Sequence, residues 1–396
     1  MSIEIADIIL LLASAQGFFL TALIFHKHRP VFANRFLGSL IFLYSILLFH
    51  LLFFELGYAK AFPLLTLMML GVSYLIPPLH YLYAKYMVRD GGEFRQKDWL
   101  HFSPFIIYEC YGLLRFYYSA GDALALLRSD NTPPSIEAIV FNWALLVVGF
   151  AYMTLTIVTL NRYARRAKNV FSSSEKIMLD WLRNITFMAC GVWGVFLLEN
   201  VLLLGGIDFS NNFTLSSALT AVYVYALGYL GLFKSEVFAA SEIAASMNRV
   251  SEDQQSDDVE RKTPASTQKY EKSGLTEEKA EQTHKRLLAL MEEGRPYTNS
   301  NLTLNQLAEM LEASSHNLSE VINTRLGQNF FDFVNHYRVE HVKNDLLDPQ
   351  KQHLKVLAIA LDAGFSSKSS FNAIFKKHTQ LTPSQYRKQA AESTAS

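Results

Sequence analysis

Hydrophobic and polar positions divide this chain into two unlike parts. Along roughly the first 235 residues, seven stretches run almost without charge: 6–25, 36–58, 64–87, 99–120, 138–160, 184–204 and 213–233. Each is near the ~20 apolar residues that a helix needs to cross a bilayer. None carries the periodic charge of a soluble amphipathic helix, so the pattern predicts seven spans. Beyond them the chain is polar, with ordinary helical periodicity.

Basic residues in the connections give a direction. The first connection holds Lys27, Arg29 and Arg35, and the third holds Lys85, Arg89, Arg95 and Lys97. The fifth holds Arg162, Arg165, Arg166, Lys168, Lys176 and Arg183. The second and fourth hold only Lys60 and Arg128, and the sixth, GGIDFSNN, holds none. Lys and Arg favour the cytoplasmic side. The N-terminus is therefore expected outside, and the C-terminal part inside a bacterial cytoplasmic membrane. Glu4 and Asp7 stand where a cleaved leader has its basic region, and the first apolar run continues past Ala13-Ser14-Ala15 to Phe25. The first span is expected to be retained.

After the seventh stretch, Phe233, Val237, Ala240, Ala244 and Met247 form a short helical seam. A polar segment poor in large apolar residues follows and reads as a flexible linker. Thr276 is placed to cap the next helix, which shows Leu287, Leu288 and Met291 on one face and ends at Gly294.

The rest contains an internal repeat. In LTLNQLAEMLEASSHNLSEVINTRLG, Thr303 and Gln306 make a capping box, and Leu304, Leu307 and Leu311 share a face. Ser314 can cap a second helix whose inward triplet is Leu318, Val321 and Ile322. About fifty residues on, LKVLAIALDAGFSSKSSFNAIFKKH repeats the scheme. Ala360 matches Ala308, Gly364 makes the turn, Ser366 can cap, and Phe371, Ile374 and Phe375 point inward. NFFDFVNHYRVEHVKNDLLD is expected to join the copies as one long helix.

Two helix-turn-helix units present two helices to successive major grooves. The first offers Ser315, His316, Ser319, Glu320 and Asn323, and the second offers Lys368, Ser369, Ser370, Asn372 and Lys376. Lys376, Lys377, His378, Arg387 and Lys388 are candidates for phosphate contact. Between Leu302 and Glu340 acids outnumber Lys and Arg, so backbone affinity is expected mainly from the second unit.

Residues 302–388 resemble the AraC/XylS family DNA-binding domain through Ala360, Gly364, Phe365, Phe371, Phe375, Lys376, Pro383, Tyr386 and Arg387. KYEKSGL at 269–275, with NFFDFVNHYR, is similar to members carrying a multi-pass membrane domain ahead of it. The resemblance implies promoter DNA as partner. Two positions depart from the family. Glu312 and Gln380 stand where members commonly have glycine.

Formal net charge is zero, so bulk charge names no partner. The two cysteines, Cys110 and Cys190, lie in apolar runs and are expected to be buried thiols. Glu55, Arg115 and Glu199 fall at similar depth near the outer ends of three spans, a candidate signal site if they pair. Glu109, His50 and Asn142 also lie within spans, and Pro77 and Pro78 interrupt the third one turn before His80. No phosphate loop, metal-ligand spacing or nucleophile elbow occurs, so neither enzyme chemistry, a cofactor nor a metal is expected.

The expected fold is all-α: a seven-helix transmembrane bundle (1–235), a helical extension and linker (236–275), and a tandem helix-turn-helix DNA-binding domain (276–396). The sequence points to a membrane-embedded transcription regulator, with a shift in the seventh span or its extension as the route of control. Promoter DNA, membrane lipid, RNA polymerase, a second copy in a homodimer, and a small-molecule or lipid signal are the expected partners. A receptor or transporter with a protein-binding tail, or a membrane enzyme with a regulatory tail, are the alternatives. DNA binding by the tail separates them.

Overall fold

The computed structural model describes residues 5–27, 32–58, 61–88, 94–118, 136–173, 180–207, 214–233 and 276–394. It is helical, with no strand longer than an isolated bridge among the described residues. The chain forms two compact units, Met1–Asn161 with Asp180–Glu242, and Arg162–Leu179 with Ile243–Ser396. The helical extension and linker expected at 236–275 lie outside the described residues.

The first unit comprises α1 (Ile5–Lys27), α2 (Ala33–Glu55), α3 (Pro63–Gly71), α4 (Ile76–Met87), α5 (Ser103–Tyr118), most of α6 (Ile136–Ala167), α7 (Asp180–Leu204) and α8 (Leu215–Phe233). Small residues let α1 approach its neighbours closely. A methyl at Gly17 would lie 2.0 Å from Ser45 Oγ of α2, and one at Gly228 of α8 would lie 2.4 Å from Leu20 Cδ1. His80 is fully buried, its Nε2 3.2 Å from Thr186 Oγ1 and its Nδ1 3.2 Å from the Tyr223 hydroxyl, so it ties α4 to α7 and α8.

Among the described residues, five segments are long and apolar enough to cross a membrane: Ile5–His26, Ala33–Glu55, Leu64–Met87, Ile139–Ala167 and Trp181–Leu204. Two of the seven expected spans differ. The fourth begins as a 3-10 turn over Gln96–Phe102, which leaves α5 only 16 residues, Glu109 and Arg115 among them. The seventh contributes a shorter apolar helix, Leu215–Gly231. The third breaks where the prolines suggested. A 3-10 stretch, Val72–Leu75, precedes α4, and Pro77 and Pro78 sit in the first turn of α4, where an N–H is not needed. The cysteines correct an expectation: Cys110 is exposed and Cys190 only half-buried. On these helices apolar side chains face outward as well as inward, so an apolar run does not imply burial.

The second unit holds α9 (Glu277–Ala289), α10 (Leu304–Met310), α11 (Ser315–Arg325), α12 (Phe330–Leu347), α13 (Val356–Asp362), α14 (Lys368–Thr379) and α15 (Pro383–Thr394). Its caps follow the sequence closely. Thr276 accepts from Lys279 N, Thr303 and Gln306 close a capping box, and Ser314 accepts from Asn317 N. One cap moves by a residue: Ser367, not Ser366, caps α14 by accepting from Ser370 N. After α9 the chain passes through a wider π-helical turn, Leu290–Gly294, and Arg295 rather than Gly294 takes the left-handed conformation.

Glu312 and Gln380, the two positions where glycine was expected, have a backbone meaning. Glu312 has φ 53° and Gln380 φ 61°, both in the left-handed region that favours glycine. That conformation costs a non-glycine residue about 1–2 kcal/mol. Glycine gives back about 0.4–1 kcal/mol in the unfolded chain. Glu312→Gly and Gln380→Gly are therefore each expected to stabilise the second unit by about 0.5–1 kcal/mol. Urea unfolding of the single variants measures this, and a loss of stability in both would contradict it.

Candidate nucleic-acid interface

Each helix-turn-helix unit is held by a small residue at the helix crossing and an apolar triplet on its second helix. In the first, Ala308 of α10 is 1% exposed, and Leu318, Val321 and Ile322 of α11 are buried. In the second, Ala360 of α13 is fully buried, and Phe371, Ile374 and Phe375 of α14 point inward. Tyr386 of α15, half-buried, meets the buried Phe375 edge-on with ring centroids 5.5 Å apart. α12 packs against α11, α13 and α14 and carries the two units on one rod.

With the triplets buried, the opposite faces of α11 and α14 are left outward. Lys368, Asn372 and Lys376 are exposed at i, i+4 and i+8 of α14, one stripe along the helix. The three line a groove of about 680 Å³ with Val356 and Leu357 on one side and Thr382, Pro383 and Ser384 on the other. Ser369 is exposed and Ser370 half-buried in the first turn. On α11, His316 and Ser319 are half-buried, and the exposed Asn323 donates to Ser319 Oγ at 3.3 Å. Glu320 lies on the same helix, half-buried.

Three other candidates have protein partners. Ser315 is buried and donates to Asn305 Oδ1 at 2.8 Å, tying α11 to α10. Lys377 Nζ lies 2.9 Å from Asp332 Oδ1 of α12. Burial raises the Asp332 pKa, but hydrogen bonds from Lys377 and Asn329 outweigh it and hold the carboxyl below its ordinary value. Arg387 donates from Nη1 to Leu354 O at 2.9 Å and from Nη2 to Gln352 O, fastening α15 to the segment before α13.

Sequence reasoning missed a contribution from far away in the chain. Residues 168–173, between α6 and α7, leave α6 through a turn at 168–170 and pass into the second unit. Lys168 O accepts from Phe331 N at 2.9 Å, and Val170 O accepts from Leu304 N at 3.0 Å. Both donors are first-turn N–H groups, of α12 and α10, which no helix can satisfy internally. Ser172 O then accepts from Asn335 Nδ2 at 3.0 Å and Arg338 Nη1 at 2.8 Å. Phe171 pairs antiparallel with Thr303 in an isolated bridge. Phe171 is 2% exposed.

Arg338 is the anchor of this clasp. It is 1% exposed, and beyond Ser172 it donates to Tyr297 O at 2.7 Å and Asn299 O at 2.8 Å. Burial lowers its pKa to about 10, still far above neutrality, so the guanidinium remains charged. The one available sequence signal was the apolar pair Val170-Phe171 inside a basic, polar connection.

The candidate signal residues lie on α2, α5 and α7. Arg115 Nε lies 3.4 Å from Glu137 Oε2, Glu199 Oε1 accepts from Ser216 N at 2.9 Å, and Glu55 ends α2 half-buried. Glu199 does line a cavity of about 520 Å³ in the first unit, together with His50 and Asn142.

Two helix-turn-helix units on one connecting helix, each with its second helix turned outward, define a tandem helix-turn-helix domain. Residues 307–389 match the family described as "Helix-turn-helix domain", of AraC type. Uncharacterized HTH-type transcriptional regulators of Staphylococcus aureus, SACOL0084 of strain COL and SAS0078 of strain MSSA476, are each 40% identical over 87 residues. Those matches cover 22% of this chain but only 11% of either relative. The uncharacterized HTH-type regulator YijO of Escherichia coli K12 is 34% identical over 112 residues, 27% of this chain and 38% of its own. No solved structure matches the chain.

Proposed function

We propose that the protein is a membrane-embedded transcription regulator that binds promoter DNA sequence-specifically through its tandem helix-turn-helix domain, under control of a signal received by the apolar helices. The observation that carries this reading is the exposed stripe Lys368, Asn372, Lys376 on the second helix of a helix-turn-helix unit. Lys368 begins α14, where a long donor reaches guanine O6 or N7. Asn372 suits adenine, and Lys376 suits a phosphate. His316, Ser319 and Asn323 read the neighbouring groove. Ser315 braces α11, Lys377 braces α14 and Arg387 fastens α15 through the bonds described above, and Ser369 and Ser370 meet the backbone at the start of α14.

Control runs through the clasp. The segment 168–173 is continuous with α6 on one side and leads to α7 on the other, so a shift of either helix changes the tension on Arg338, Leu304 and Phe331. Both helix-turn-helix units hang on those positions. A signal acts this way only if it favours one arrangement of the helices over another.

The test selects bound fragments from genomic DNA with the purified full-length protein. Lys368→Ala is expected to cost about 1–3 kcal/mol at one base pair and relax the preference there. Lys376→Ala is expected to weaken all sequences alike and to lower the salt slope by about one. An even loss in both variants would remove Lys368 from base reading, and the absence of any selected sequence would sink the regulator. Membrane embedding is tested by a reporter active only outside the cytoplasm, which should work after Gly206 and fail after Lys168 and at Ser396.

A further inference from the structure

The cavity in the first unit has chemistry that neither the helix-turn-helix domain nor the packing of the bundle uses. It sits among the C-terminal halves of α2 and α7, the start of α8, the start of α6 and the α3–α4 break. By the distribution of basic connections, the four helix portions lie toward the side away from the cytoplasm, and the α3–α4 break lies near mid-span. Its volume, about 520 Å³, is that of a small-molecule site.

The lining is specific about charge. Among the described lining residues Glu199 is the one carboxylate, and none is Lys or Arg. The Ser216 N–H holds Oε1 of Glu199 at 2.9 Å and so fixes the carboxylate beside the cavity. Phe54, Trp193 and Phe196 supply aromatic wall, the last two nearly perpendicular with centroids 6.1 Å apart. A carboxylate set among aromatic rings favours a cation twice, by direct attraction and by the ring quadrupoles. It opposes an anion.

A second group points to a ligand independently. His50 lines the same cavity, is 4% exposed, and its Nε2 is buried without a hydrogen-bond partner. A buried ring nitrogen left unpaired is costly, so a complementary ligand brings a hydroxyl or carbonyl to it.

We infer that this cavity binds a small organic amine with an aromatic or other apolar body and one further hydrogen-bonding group. Glu199 takes the ammonium, Trp193 and Phe196 enclose the body, and His50 takes the polar group. The inference rests on the reading of this unit as receiver of the signal and names the chemical class of that signal.

The experiment measures melting of the purified full-length protein in detergent, without DNA, against four probes: tyramine, 2-phenylethylamine, 2-phenylethanol and 3-phenylpropanoate. Both amines are expected to raise the melting temperature saturably, tyramine binding roughly tenfold tighter, a hydrogen bond's worth. The alcohol and the carboxylate are expected to do so only weakly. Glu199→Gln should abolish the preference for amines, and His50→Phe should remove only the advantage of tyramine. Equal shifts from amine and carboxylate, no saturable shift from either amine, or an amine preference surviving in Glu199→Gln would each overturn the proposal. Should Glu199→Gln fail to fold, the wild-type contrast between 2-phenylethylamine and 3-phenylpropanoate decides alone. Because DNA is absent, a failure here leaves promoter binding standing, and a failure of promoter binding leaves this result standing.

Discussion

Arg338→Met is expected to unfold the second unit or nearly so, and to abolish DNA binding with it. The side chain donates to the carbonyls of Tyr297, Asn299 and Ser172 and to Ser172 Oγ, all within 2.7–3.1 Å. Methionine fills much of the volume but takes the donor from Tyr297 O. It also takes one donor each from Ser172 O, which keeps Asn335 Nδ2, and Asn299 O, which keeps Leu302 N. Each lost bond from a charged donor costs about 1.5–3 kcal/mol. Non-additivity trims the sum, and a loss of about 3–5 kcal/mol is the expected range for breaking a buried charged network. Arg338→Lys should recover only part, because an ammonium cannot span Tyr297 and Ser172 with a planar fork. Chemical unfolding of the full-length chain in detergent measures the difference. An Arg338→Met protein within about 1 kcal/mol of wild type would show that the clasp contributes little.

Gly364→Ala is expected to be comparably severe, for a steric reason. Gly364 has φ 95°, and an added methyl would lie 2.3 Å from Tyr297 O and 2.8 Å from Thr298 O. Both obstacles are main-chain atoms and cannot rotate away. The left-handed backbone costs about 1–2 kcal/mol, and forcing atoms into a packed place adds about 1–3. Gly327→Ala separates the two contributions. It has φ 65° with nothing within 4 Å of the added carbon, so it should lose only the backbone part. Equal losses in the two variants, by urea midpoint, would rule out the clash.

What could be read from the sequence was local. The repeat showed because each copy carries its own periodic apolar face, its own cap and a small residue at the helix crossing: Leu304, Leu307, Thr303 and Ala308 in one, Phe371, Phe375 and Ala360 in the other. The choice between Ser366 and Ser367 was not readable, because either hydroxyl in FSSKSS can cap. The structure places Ser366 Oγ 3.3 Å from Ser173 Oγ instead. Glu312 and Gln380 were visible as departures, but only the backbone angles show that they occupy glycine's conformation. Arg338 was unreadable for a different reason. It stands in FVNHYRVEHVK, where an arginine on a helix passes for surface, and its partner Ser172 is 166 residues away. No local pattern encodes a contact of that separation. The candidate trio Glu55, Arg115 and Glu199 was drawn from depth alone, and equal depth on different helices does not fix which faces meet.

The clasp also sets an order of assembly. Lys168 to Ser173 leave the ribosome more than a hundred residues before Leu304 and Phe331, whose first-turn N–H groups they satisfy. Closing so long a loop is slow compared with forming the helices themselves. The helices of the second unit can therefore form as soon as they are made, while their final hydrogen bonds wait on a piece of chain already held between α6 and α7. Synthesis thus builds a checkpoint into the protein: the helix-turn-helix pair reaches its finished form only on a chain whose apolar helices have left 168–173 within reach.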